Sequence, residues 1–407
     1  MSLRLIVPVI VLALVVPASA SGQTSAEPTW HVMQDAVVFG LFNHQGGPRG
    51  GDEFKVPNWW MGMFGRKVGT SDLTINTMLS LDPLTVSKKG YREIFQVGET
   101  FEGRPLIDYQ HPHDAFMQVA AVWRTPIGSQ TGLTIAGGPV AEPAIGPVAF
   151  MHRASAMENP MAPLSHHIFD STHIAFGVIT AAVDRGPWTI EGSMFNGREP
   201  DEDRWDFDFG ALDSAAARLW YRPHDDWEFQ VSSARLTNPE ELEPGNVFRT
   251  TASASWLKRE DGDFTAVTAA YGVNATEEVD RASWLVEGTR RLDLHTFYAR
   301  AELVDVETAT LLDNDAVAHA AKDRVAALTL GGVRDLPAWR GMSAALGAGI
   351  TFYAVPRRLE VTHGGRPVSF QVFVRLRPVA GAMGRMWNMH MIKPMPAADP
   401  HAGHRMN

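Results

Sequence analysis

Three groups of residues have the types and spacing for chemistry. The first is "LIDYQHPHDAFMQ", residues 106–118, where Asp108, His111, His113 and Asp114 crowd around one proline. The second is "FMHRASAMENPMAPLSHHIFDSTHI", with Met151, His152, Met157, Met161, His166, His167, Asp170 and His173. The third is the C-terminal stretch, with Met383, Met386, Met389, His390, Met391, Met395, His401, His404 and Met406. Imidazole suits copper, zinc and nickel, whereas thioether is a soft ligand that favours Cu(I). Met and His mixed together without thiols therefore read as copper handling. In the C-terminal stretch the alternative is an ordinary polar terminus, yet methionine has no core to fill there. Transient metal ligation by that stretch, or recruitment of a periplasmic copper-handling partner, is the expectation.

For the two internal groups a polar network bracing long loops competes with a metal site and with catalysis. His and Asp at loop bases commonly hydrogen-bond to backbone groups. The candidate ligands are His111, His113, Asp114, His152, Met157, His166, His167 and His173. Ser165 beside His166, with Asp170 nearby, has the composition of a nucleophile and base. Adjacent residues rarely face each other, however, and no G-x-S-x-G elbow occurs. In "GREPDEDRWDFDFG", Glu199, Asp201, Glu202, Asp203, Asp206 and Asp208 could take a hard cation such as Ca²⁺. The spacing matches no EF-hand, so a solvated acidic loop is the plainer reading.

What must position these groups is legible from periodicity. "HTFYARAELV" sets Phe297, Ala299, Ala301 and Leu303 against Thr296, Tyr298, Arg300 and Glu302. "SFQVFVRLRP" and "WEFQVSSARL" alternate in the same way, and period two means strands with one apolar face. Short turns such as "KVGTSD", "VDRGP", "KREDGD" and "RRLD" alternate with longer connections, among them 83–110, 138–171, 197–210, 305–322 and 356–366. A further long connection is read across "NHQGGPRGGDEFKVP". Seven short and eight long connections join sixteen strands. Short turns at one end and long loops at the other are the pattern of an all-β, antiparallel outer-membrane β-barrel. Its apolar face would meet outer-membrane lipid, and its polar face a wet interior. "HPHD" then begins the fourth strand and "DSTH" the sixth, near one rim.

Composition narrows the function. The 407-residue chain carries a net charge of −10 and no basic block, which argues against nucleic acid as a partner. It has no cysteine, so disulfides, thiolate metal sites and a cysteine nucleophile are excluded. Residues 1–20, with Arg4, an apolar run from Leu5 to Val16, and Ala18 and Ala20, read as a secretory signal. The barrel is expected over 21–378, with a Met/His-rich periplasmic tail over 379–407.

Four stretches carry a resemblance: "LIDYQHPHDAFMQ", "GPVAFMHRASAMENPMAPLSHHIFDSTHIAFGV", "GSMFNGREPDEDRWDFDFGALDS" and "FRTTASASW". Over about residues 100–256 the chain resembles an exported bacterial family with no assigned biochemical activity. The resemblance implies an outer-membrane barrel found near copper-resistance functions, and it carries no catalytic role to any residue. The expectation is a porin-like barrel passing or handling a small polar solute or a metal ion, copper among them. An exported copper-binding protein without a channel and a barrel enzyme using Ser165 and His166 stand as alternatives.

Overall fold

The computed structural model describes residues 30–242, 245–260, 262–314 and 316–379. The expected signal segment, and the tail ligands from Met383 to Met406, lie outside these residues. The strands are β1 (His31–Gln45), β2 (Gly51–Lys55), β3 (Asn58–Val68), β4 (Ser71–Leu79), β5 (Tyr91–Phe101), β6 (Arg104–Gln110), β7 (Phe116–Pro126), β8 (Thr131–Ala141), β9 (Ala175–Arg185) and β10 (Trp188–Phe195). They continue with β11 (Ser214–His224), β12 (Trp227–Thr237), β13 (Asn246–Glu260), β14 (Asp263–Ala275), β15 (Asp280–Leu292), β16 (His295–Glu307), β17 (Lys322–Asp335), β18 (Met342–Ala354) and β19 (Val368–Pro378).

All but β5 and β6 belong to one antiparallel sheet, and the pairing of β1 with β19 closes it. β2 and β3 both pair with β1, one beyond the other, and form a single stave. Pro57 separates them because proline cannot donate to the ladder. The described residues thus build a closed barrel of sixteen staves. One expectation needs correcting: within "NHQGGPRGGDEFKVP", Gly51–Lys55 is wall, and the connection shrinks to 46–50. Connection 83–110 differs too. It carries its own hairpin, β5 with β6, outside the barrel sheet.

The barrel is inside-out relative to a water-soluble protein. Along β16, Phe297 and Leu303 are exposed while Thr296, Arg300 and Glu302 are buried. Outward Trp188, Tyr221, Trp227 and Phe229 stack near the short-turn end, and Tyr271 stacks on Trp284 towards the other. Valine and leucine, such as Val231, Val286 and Leu330, lie exposed between. Aromatic girdles flanking an apolar band are the lipid-facing signature of such barrels. No helix among the described residues is long and apolar enough to cross a membrane. Inside, some side chains fill gaps left by glycine: a Cβ on Gly331 would lie 2.1 Å from Tyr298 Cζ. An aromatic ring packed over a strand glycine pins the register of its neighbours.

Candidate functional site

The lumen is crossed by the connection between β8 and β9, residues 142–174. Its backbone and side chains reach the wall on several sides. Near its start, Ala144 N donates to Ser193 Oγ at 2.8 Å, Gly146 N to Ser232 Oγ at 2.9 Å, and Arg218 to Ile145 O at 3.0 Å. In its middle, Arg153 Nε donates to Glu287 Oε1 at 2.6 Å, and Thr289 Oγ1 donates to Ser155 O at 2.8 Å. Four staves further round, on β19, Glu158 pairs with Arg375 and accepts from Arg377 at 3.1 Å. Near its end, Ser165 Oγ donates to Glu302 Oε1 at 2.6 Å. Arg153, Glu158, Glu287 and Arg375 are all buried. A buried charge is tolerable only when it is paired and hydrogen-bonded, so these pairs lock the connection in one pose.

The locking geometry decides the roles of the expected site residues. Ser165 is committed to Glu302, and His166 Nδ1 donates to Asp170 Oδ1 at 2.8 Å, so serine and histidine are not assembled as nucleophile and base. Asp170 also accepts from Phe150 N at 2.9 Å and from Arg153 at 3.1 Å. Burial alone would raise its carboxyl, but His166 and Arg153 hold it well below the usual range. Asp108 takes a left-handed φ of 61° and accepts from Phe95 N and His363, fastening β6 to the connection after β18. Asp114 pairs with Arg204 at 3.5 Å, and burial raises it to about 6.

The histidines of the two loops do converge. Ring centroids lie 5.3 Å apart for His111 and His167, 5.9 Å for His111 and His166, 5.5 Å for His166 and His173, and 5.8 Å for His113 and His173. His113 Nδ1 donates to Asp82 at 2.9 Å and His173 Nδ1 to Asp170 O at 2.7 Å, while His111 Nδ1 faces Glu99 at 3.1 Å. The Nε2 atoms of His111, His166 and His173 are buried without a hydrogen-bond partner. Burial pushes His173 down to about 3 and holds His111 well below its ordinary value, so these rings are neutral and able to accept. His152 stands apart, edge-on to Trp59 and pushed down to about 4 by burial, and Met157 lines a cavity on the same side of the crossing loop.

That cavity has a volume of about 560 Å³. Phe150, Met151, Met157 and Asn159 of the crossing loop form its inner wall. Arg259, Arg291, Arg375 and Arg377, with Asp35, Asp263 and Asp335, line it towards the short turns. On the other side of the loop is a pocket of about 20 Å³, lined by Glu99, His111, Asp114, His173 and Glu199 among others. That is room for one water-sized species.

Sequence reasoning found the histidines but not their anchors Arg153, Glu158, Arg204 and Glu287. Alternation within strands could have flagged Glu287 as lumenal. Nothing local distinguishes Arg153 or Glu158.

The chain matches no model of a known protein family and no curated protein sequence. Solved structures are similar in fold. A loop-deletion mutant of OmpT from Vibrio cholerae aligns over 86% of this chain and 99% of its own, with 9% identity and a TM-score of 0.53. OprB of Pseudomonas putida aligns over 86% and 94%, with 10% identity and a TM-score of 0.54. OmpF of Salmonella typhi, in complex with daunomycin, aligns over 85% and 97%, with 8% identity and a TM-score of 0.52. With the apolar outer face and aromatic girdles, this likeness identifies the fold as a porin-like outer-membrane β-barrel of sixteen staves, a structure of the Gram-negative outer membrane.

Proposed function

We propose that the barrel is a channel for small polar solutes, with residues 142–174 as a fixed constriction. One observation carries the reading: the connection crosses the lumen and is tied to opposite walls, to Arg218 of β11 through Ile145 O and to Arg375 of β19 through Glu158. The cavity at the short-turn end is a vestibule whose facing arginines and aspartates suit polar rather than apolar solutes. Planar-bilayer recording of the refolded protein is the test. Small, stable conductance steps are expected, growing when Glu158→Gln loosens the constriction. No conductance from either protein sinks the channel, and a mature protein that stays soluble and monomeric without detergent sinks the barrel.

A metal ion as the solute, copper among the candidates, is the finer reading. It is supported by His111, His166 and His173, whose Nδ1 atoms face carboxylate or carbonyl oxygens while their Nε2 atoms have no partner. Orienting one ring nitrogen by an acid is how proteins prepare the other for a metal. Residues Met386, Met389, His390, Met391, Met395, His401, His404 and Met406 would then serve as transient ligands on the periplasmic side. Liposome uptake of Cu²⁺ that is no faster than that of Mg²⁺, and unchanged by His166→Gln, removes this refinement and leaves the channel standing.

A further inference from the structure

Three long connections, distant in sequence, meet beside the β5–β6 hairpin. His167 comes from the crossing loop, Glu199 from the connection after β10, and Glu240 from the connection after β12. One ligand-type atom from each lies within 4.8 Å of the others. The meeting is built by the backbone. Glu199 N donates to Pro239 O at 3.0 Å, which holds two of the connections together. Asn274 Nδ2 donates to His167 O at 3.1 Å, which ties the third to β14. The imidazole lies against Gly98 at φ +152°, where a Cβ would sit 2.2 Å from His167 Cε1.

The chemistry of this cluster is unbalanced as it stands. Both ring nitrogens of His167 are buried without a hydrogen-bond partner, and Nδ1 lies 3.5 Å from Glu199 Oε1, at the outer limit of a hydrogen bond. Beside it, His111 has a side chain only 9% exposed and an unpartnered Nε2. The Glu199 and Glu240 carboxylates bring oxygens within 4.8 Å of each other and of the imidazole, and like charges that close favour a cation between them. Arg249 acts on both carboxylates through space, but its hydrogen bonds go to Asn274 at 2.9 Å and Ser171 at 3.0 Å, so one cation faces two carboxylates.

We propose that His167, Glu199 and Glu240 bind one first-row divalent cation, with Zn²⁺ as the type, and that the ion pins three outer connections to one another. One imidazole and two carboxylates form a borderline donor set that suits Zn²⁺, and the carboxylates neutralise its charge. Mg²⁺ and Ca²⁺ prefer all-oxygen shells. The absence of thiolate and thioether at this point argues against Cu(I). The site is independent of the channel reading, and conductance is not its readout.

The test uses the full chain, refolded in detergent and stripped with a chelator. Zn²⁺ retained after desalting is measured by elemental analysis, and barrel closure by heat-modified gel mobility. His167→Ala and Glu199→Gln should each retain one equivalent fewer than the wild type. Glu241→Gln, whose carboxylate accepts from Thr100 Oγ1 instead, should retain the full amount. Taking differences removes any metal held by Met and His residues beyond Val379. Zn²⁺, but not Mg²⁺, should also slow proteolysis within 196–213 and 237–246 in the wild type and not in His167→Ala. If His167→Ala does not close, Glu240→Gln replaces it. Equal Zn²⁺ retention by wild type and closed variants, or protection by Zn²⁺ that survives these substitutions, overturns the proposal.

Discussion

The wall from β11 to β19 and the crossing connection 142–174 are held by opposite means. Each stave of the wall pairs with its neighbour in the chain, and its side chains mostly follow one rule, apolar outward and polar inward, with rings such as Tyr298 and Phe373 packed inside. The connection follows no period. It stays in place through single pairs such as Arg153–Glu287, 134 residues apart, and Glu158–Arg375, 217 apart. A rule repeated along every stave tolerates the loss of any one position. A pose set by a few buried charges does not, and the two regions should respond differently to substitution.

The largest effect is expected where that contrast is sharpest. Arg153→Ala takes from Glu287 and Asp170 their shared partner, leaving Glu287 to Arg300 and Asp170 to His166, at a cost of about 3 kcal/mol or more. Because the wall does not depend on Arg153, the loss should show as rapid proteolysis within 142–174 while the barrel keeps its closed gel mobility. Simultaneous opening of the barrel would break the comparison. Next comes a lipid-facing change in the wall. Val286→Arg puts a charge into the apolar band and should cost about 2–4 kcal/mol, read by urea unfolding in bilayers, with the crossing connection still protected.

An effect of similar size, but confined to acid, comes third. His152 falls from 6.5 to about 4 on folding, so the unfolded chain binds a proton that the folded one refuses. Stability from this group is complete above pH 6.5 and is lost as pH falls towards 4, by about 1.4 kcal/mol per unit. His152→Phe keeps the contact with Trp59 and should gain on the wild type over that window alone. A constant difference from pH 7 to pH 4 would remove the assignment. The smallest effect is expected at the β3–β4 turn. Lys67→Ala breaks an exposed pair with Asp72 and should change stability by less than about 1 kcal/mol.

The same contrast explains what could be read before the structure. Alternation and the rhythm of turn lengths made sixteen staves legible. They also placed "HPHD" before the fourth stave, β7, and "DSTH" before the sixth, β9. Arg300 and Glu302 were legible as lumenal because each sits mid-strand on the polar side. The β5–β6 hairpin was not, because "YREIFQVGETF" mixes apolar and polar residues without a clean period, and positive φ at Phe95 and Glu99 breaks its pleat. The neighbours of His167 were hidden for another reason. Glu199 and Glu240 lie in ordinary acidic connections, and only the closure of the barrel brings them to one point.

The seam between β1 and β19 has a consequence for the order of events in biogenesis. The first stave finds its second partner only after more than three hundred residues have been made, and until then two strand edges stand open. Lipid cannot satisfy such edges, so an incomplete chain has no stable resting place in the bilayer. The last strand also supplies Arg375 and Arg377 to Glu158. Sealing the wall and fully seating the insert therefore become one late event: a chain truncated before β19 lacks both a closed cylinder and the partners of Glu158.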